Sequence, residues 1–150
     1  MKVYLCSRYS RRDQMRSVRD ELVRRGHTVT TRWLETEWAN RPDQSSAAPP
    51  EYREKYAAID MDDVRAADVL VAFTEAPGDG SRGGRHVEYG MAAAWGKRLV
   101  VVGYRENLFH HLPGVEFFAS QWDMMRTVFP DGEPHETTEK HGNSACLPSV

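Results

Sequence analysis

Two acidic residues carry the chemistry this sequence can offer. Glu88 lies in GGRHVEYGMAAAWGKRLVVVG, residues 83–103, just inside an Ala-rich helical stretch that follows a glycine loop. Asp60 lies in a second helical pattern, residues 51–67, where Tyr56, Asp60 and Val64 recur every four positions and so share one face. A carboxylate in the first turn of a helix is favoured by the free N–H groups and the dipole. Glu88 is therefore either a cap or a reagent, and Asp60 either a solvated edge carboxylate or an inward one. Two carboxylates facing one glycosidic bond are equipment for displacement at an anomeric carbon. One attacks or shields the cation-like carbon, and the other manages protons or sugar hydroxyls. His86, two residues before Glu88, is either a proton carrier or a surface residue.

Whether these groups can meet depends on the elements that hold them. Residues 3–6 form a short apolar run that reads as a strand. Ser10 to Asp13 has the form of a capping box and predicts a helix with Met15, Val18 and Leu22 as its buried stripe and Gly26 as its end. Residues 27–33 alternate and are rich in Thr and Val, which predicts a second strand. The stretch 39–50, rich in Pro, Ser and Ala, reads as a loop. DVLVAF, 68–73, and residues 98–102 are continuous apolar runs, as in strands buried on both faces. Residues 116–118 make a short fifth strand and 120–129 a last helix. Trp33, Trp38, Trp95 and Trp122 are candidates for stacking on a base, with Trp95 and Trp122 expected in the core.

Strand and helix alternate throughout, which implies right-handed βαβ units and a parallel sheet. The expected fold is α/β, a flavodoxin-like or Rossmann-like parallel five-stranded sheet of order 2-1-3-4-5 flanked by helices. One domain spans residues 1–129, with a flexible tail over 130–150. Ligands in such sheets bind beyond the carboxyl ends of the strands. The loops there are residues 7–12, 74–85 and 103–109.

The 150 residues hold 20 Lys and Arg against 22 Asp and Glu, a net charge of −2. That balance argues against a nucleic-acid or anionic-membrane partner. The arginines clustered early in the chain, Arg8, Arg11, Arg12, Arg16, Arg19, Arg24 and Arg25, read as a solvated helix face. Two cysteines, Cys6 and Cys146, make no disulfide framework and point to a cytoplasmic protein. No CxxC, HExxH or P-loop pattern is present, so neither a metal nor a cofactor is expected.

Three stretches in this order resemble the nucleoside 2-deoxyribosyltransferase family and the related 2′-deoxynucleoside 5′-monophosphate N-glycosidases. They are VYLCSRYSRRDQ, Asp60 with AADVLVAF, and GGRHVEYGMAAAWGKRL with its G-x-x-x-E-x-G pattern. The likeness spans residues 2–123. It implies Glu88 as the nucleophile that forms a glycosyl-enzyme ester at C1′, and Asp60 as the group that holds sugar hydroxyls or assists the leaving base. It further implies substrate binding by Ser7, Arg8, Tyr9, Gly84, Arg85, His86 and Asn107, the last as a residue of the kind contributed by a neighbouring chain. A homodimer or larger homo-oligomer acting on a small nucleoside or nucleotide follows from the same resemblance. The loop over residues 76–85 is longer than in the compact N-glycosidases, and Ser81 is the candidate for the serine they use on a 5′-phosphate. Two other functions remain open at this level: a TIR-like NAD glycohydrolase, and a non-catalytic nucleotide-binding module. A flavodoxin-type electron carrier shares the topology, but Ser7-Arg8-Tyr9-Ser10 is a poor phosphate loop.

Overall fold

The computed structural model describes residues 1–35, 49–78 and 83–131. Five parallel strands form one sheet in the order β2-β1-β3-β4-β5: β1 Lys2–Cys6, β2 Thr28–Val29, β3 Val69–Phe73, β4 Arg98–Val102 and β5 Glu116–Phe118. Four helices flank it: α1 Arg12–Arg24, α2 Pro50–Ala66, α3 Gly84–Ala94 and α4 Gln121–Val128. The expected topology and strand order are those observed.

The period-2 alternation of the central strands divides the core. Val3, Leu5, Val69, Val71, Phe73 and Val100 pack with Met15, Val18 and Leu22 of α1 and with Met124 and Val128 of α4. Tyr4, Cys6, Leu70, Ala72 and Val101 point the other way, against Val64 of α2 and Tyr89 and Ala92 of α3. Every residue of β3 is buried, as a strand covered on both faces must be.

Local signals account for most boundaries. Pro50 opens α2, where a missing N–H costs nothing. Gly26, at φ 81°, closes α1 as a left-handed residue, with His27 N–H donating to the Leu22 carbonyl. Ser120 caps α4 by accepting from the Asp123 N–H at 3.1 Å. Three expectations need correction. The sequence from Ser10 to Asp13 does not cap a helix: Tyr9–Arg11 forms a 3₁₀ turn, and α1 starts at Arg12 without a side-chain cap. The second strand is only two residues long. Beyond it Thr31 accepts from the Leu5 N–H at 2.6 Å, and the chain winds into a 3₁₀ turn at Arg32–Glu35. Trp95 and Trp122 are exposed rather than core, each covered by a guanidinium, Arg65 at 4.9 Å and Arg126 at 4.2 Å from the ring centre.

The arginines at the two ends of α1 are also more engaged than a solvated face requires. Arg25 donates to the Met125 and Phe129 carbonyls, tying α1 to α4. Arg11 reaches the Thr74 carbonyl at 3.0 Å and the Glu75 carboxylate. Trp38, Ser81, Cys146 and the 132–150 part of the expected tail lie outside the described residues.

Candidate active site

The site assembles where β1 ends. Tyr4 and Cys6 are two apart on the strand and both face α2 and α3. Gly83, at φ 91°, turns the chain into α3 in a left-handed conformation that suits glycine. The first turn of α3 then lies over Cys6, whose Sγ donates to the Arg85 carbonyl at 3.2 Å. Glu88 stands one turn further along. From α2, which packs beside α3, comes Asp60.

Electrostatics place these four groups within reach of one another. The Glu88 charge raises the pKa of Asp60, of Tyr4 and of Cys6. Burial is the largest cause of the shift in each. Asp60 is pushed up to about 7, by burial first, then by the Glu88 and Asp63 charges, with Arg32 opposing. Burial also lifts the Glu88 carboxyl above its ordinary value, while the Cys6 thiol and the Tyr4 hydroxyl pull it back down. The Tyr4 hydroxyl makes no hydrogen bond of standard geometry among the described residues, though it favours the Glu88 anion.

The two carboxyls are therefore unequal. The Cys6 thiol and the Tyr4 hydroxyl favour the Glu88 anion, whereas Asp60 Oδ1 is buried without a hydrogen-bond partner among the described residues. When two carboxyls share a field, the one with donors ionises first and the other keeps its proton. Ser7 Oγ, at the exit of β1, is a further buried polar atom with no partner among the described residues. Such an atom costs about 1–3 kcal/mol unless something meets it, and the oxygens of Tyr4, Ser7 and Asp60 are in this state among the described residues.

The other residues singled out in the sequence fall into two groups. Tyr9 is exposed and leans on Trp33, ring centres 6.0 Å apart, and Trp33 donates its indole N–H to the Leu5 carbonyl at 3.1 Å. Arg8 is half-buried and its carbonyl anchors the turn into α1; Gly84 is the exposed first residue of α3. His86 points away from Glu88, because residues two apart on a helix point about 200° from each other. It meets Asn107, Nδ2 to Nδ1 at 3.3 Å, and Asn107 also caps the turn at Leu108–His111 by accepting from the Phe109 N–H.

Arg85 belongs to a buried charge cluster at the ends of β3 and β4. Its Nη2 donates to Glu106 at 2.6 Å, and the same Glu106 oxygen accepts from the Glu75 N–H at 2.7 Å. Arg85 Nε and Nη1 keep hydrogens without an acceptor among the described residues. The two exit loops touch closely: Gly103 sits at φ 112°, where a Cβ would come within 3.0 Å of Thr74 Oγ1. That hydroxyl donates to the Val102 carbonyl and accepts from the Tyr104 N–H.

His86, Glu106 and His110 bring potential metal-ligand atoms within 4.8 Å of one another. Their chemistry suits a cation poorly. The Glu106 N–H donates to His110 Nδ1 at 3.1 Å, so the neutral ring carries its proton on Nε2 and has no free lone pair to give. The Arg85 guanidinium already holds Glu106.

Sequence reasoning missed Tyr4, Cys6, Asp63, Glu75, Glu106 and His110. The first two were open to it, since the alternation of β1 puts both on the face opposite Leu5. The others are polar residues whose burial follows only from tertiary contacts. Asp63, one helical turn from Asp60, is 4% exposed and binds the Arg32 N–H at 2.8 Å and its Nε at 2.6 Å.

No family model and no curated protein sequence matches this chain. Solved structures do. The Clostridium botulinum CMP N-glycosidase BcmB aligns over 85% of this chain and 98% of its own, with a TM-score of 0.55 and 18% identity. A 2-deoxyribosyltransferase from the psychrotolerant bacterium Bacillus psychrosaccharolyticus aligns over 85% of this chain and 91% of its own, with a TM-score of 0.61 and 20% identity. The chain therefore has the α/β fold of these two glycosyl-bond enzymes along nearly their whole length.

Proposed function

We propose that this chain cleaves or exchanges the N-glycosidic bond of a nucleoside or nucleoside 5′-monophosphate, with Glu88 as nucleophile and Asp60 as proton carrier. The observation that carries the reading is a pair of interacting carboxyls beside the end of β1, Glu88 and Asp60, with Asp60 pushed up to about 7 by burial first and by the Glu88 charge second. The N-glycosidase and deoxyribosyltransferase activities named for the two structural neighbours support it.

In this mechanism the Glu88 carboxylate attacks C1′. The C–N bond breaks, its electron pair goes to the base nitrogen, and the base takes up a proton from Asp60. The product is a glycosyl ester of Glu88. Asp60, now ionised, takes a proton from water or from a second base as that acceptor attacks C1′ and releases Glu88. Two displacements retain configuration. Ser7, Arg8, Tyr9 and Gly84 are the proposed substrate contacts, with the exposed Tyr9 ring against the base or sugar. Arg85, whose Nε and Nη1 have no hydrogen-bond acceptor among the described residues, is the proposed contact for a 5′-phosphate. His86 and Asn107 are assigned to holding the loop after β4. An assembly of two or more copies is proposed as well, supported by the exposed Leu108 and Phe109 side chains in that loop.

The test is base release from a panel of nucleosides, monophosphates and NAD, followed by chromatography with and without a second free base. Glu88→Ala should lower turnover by a factor on the order of 10³ or more while leaving the fold intact. Asp60→Asn should lower it about 10²-fold. A Glu88→Ala variant as active as the unaltered protein overturns the mechanism. Release of nicotinamide from NAD alone moves the chain to another class of glycohydrolase, and tight nucleotide binding without product makes it a binding module.

A further inference from the structure

The Arg85 and Glu106 side chains are 6% and 10% exposed, and Nη2 of the first donates to Oε1 of the second at 2.6 Å. Each is left incomplete. Arg85 Nε and Nη1 have no acceptor, and Glu106 Oε2 has no donor, among the described residues. The pair therefore presents unmet donors beside an unmet acceptor, buried at the carboxyl end of the sheet, where such folds bind ligands. Arg85 lies one helical turn before Glu88, and its carbonyl accepts from Cys6 Sγ at the end of β1. We propose, taking Arg85 as the contact for the 5′ end of the substrate, that Glu106 sets the choice between a 5′-hydroxyl and a 5′-phosphate there, in favour of the hydroxyl.

The charges around the pair are already balanced. Glu75 Oε1 lies 4.0 Å from Arg85 Nη1 but 3.3 Å from Arg11 Nη1, which also holds the Thr74 carbonyl at 3.0 Å. Glu75 thus belongs mainly to Arg11, and Glu106 is the counter-ion of Arg85. Glu106 is fixed on several sides. Its Oε1 also accepts from the Glu75 N–H at 2.7 Å, and its own N–H donates to His110 Nδ1 at 3.1 Å. His86 and His110 each bring a ring nitrogen within 4.8 Å of a Glu106 oxygen, and neither donates to Oε2.

A 5′-hydroxyl completes this arrangement. It accepts from an Arg85 N–H and donates its one hydrogen to Glu106 Oε2, so both unmet groups are used and no charge is added. A 5′-phosphate does not. As a dianion it has only acceptors to offer. It can reach Arg85 Nε and Nη1, but it leaves Oε2 unmet and lies beside a carboxylate, where burial leaves the two charges poorly screened. Repulsion of this kind is how a site disfavours a competitor that otherwise fits. Glu106 is not free to move aside, since its Oε1 is tied to both Arg85 and Glu75.

The experiment compares probes that differ only at the 5′ end. Each common 2′-deoxynucleoside and its 5′-monophosphate is titrated by calorimetry into Glu88→Gln protein, which blocks the proposed turnover, at pH 8, where the phosphate is a dianion. The best-bound nucleoside should bind about tenfold tighter than its monophosphate. Adding Glu106→Gln keeps an acceptor for Arg85 and the Glu75 N–H but removes the charge. It should tighten the monophosphate about tenfold and leave the nucleoside nearly unchanged. A merely structural role predicts that both probes weaken together. The proposal is overturned by a monophosphate that outbinds its nucleoside with Glu106 in place, by a monophosphate affinity that does not rise in Glu106→Gln, or by the binding of no probe at all. If Glu106→Gln does not fold, the first comparison alone decides. The titration needs no turnover, so an active Glu88→Ala would sink the catalytic reading without touching this result. Conversely, an unmoved preference would leave Glu88 as nucleophile.

Discussion

Asp60 is held in a position that is bad for stability and useful for proton transfer. Its pKa in the folded chain, about 7, is above that of an ordinary carboxyl, chiefly because of burial. The unfolded chain therefore gives up this proton first as pH rises. The contribution to stability is intact below about pH 4, declines as pH climbs through the interval to about 7, and is gone above it. Asp60→Asn removes the penalty, so the variant should be more stable than the unaltered protein at pH 8, by up to about 4 kcal/mol, and no more stable at pH 4. Urea denaturation at the two pH values reads this out; a gap of equal size at both would mean that the carboxyl is not strained. The gain in stability should accompany the loss of turnover, as is common where a site keeps a group in an unfavourable state. Turnover of the unaltered protein should likewise fall above about pH 7, as Asp60 loses the proton it gives to the base.

At the scale of elements, the position of Asp60 depends on Asp63. The Asp60 and Asp63 carboxylates of α2 share one helical face, but Asp63 is fully engaged with the backbone and side chain of Arg32. Thr30 adds a bond from its hydroxyl to the Asp63 carbonyl at 3.0 Å. These contacts fasten α2 to the segment that follows β2. Asp63→Ala should cost about 2–3 kcal/mol in a denaturant titration and should lower kcat by letting α2 shift. Full activity in a stably folded Asp63→Ala would show that α2 needs no such tether. The sequence made α2, α3 and β3 to β5 legible, because their apolar runs and end signals agree. It also singled out Glu88 and Asp60 as candidates, through spacing and family likeness. It hid the division of labour between Asp60 and Asp63, since both fit one helical face and only the position of Arg32 separates them. It hid the shortness of β2 as well. The run from His27 to Trp33 has the composition of a strand, but Thr31 is spent on the Leu5 N–H and the chain turns away. The exposure of Trp95 and Trp122 escaped for a related reason: an arginine stacked on a ring satisfies it at the surface, and no one-dimensional pattern records that contact.

In the whole molecule, β1 serves two masters with alternate residues. Leu5 belongs to the layer of α1 and α4, and Tyr4 to the layer of α2 and α3. Leu5→Ala should cost about 2–5 kcal/mol of stability and leave the shape of the pH–rate profile unchanged. Tyr4→Phe, which removes a hydroxyl that favours the Glu88 anion, should cost less stability than Leu5→Ala and should move the acid limb of that profile upward. Thermal melts and pH–rate curves on the two variants check both statements, and a profile that shifts with Leu5 but not with Tyr4 contradicts the division. The outer strands of the sheet carry a different consequence. One margin is two residues long and the other three, with Glu116 of the latter clasped by Arg98. A strand from another molecule would find almost no unpaired backbone to zip onto, so the sheet resists runaway edge-to-edge growth into aggregates.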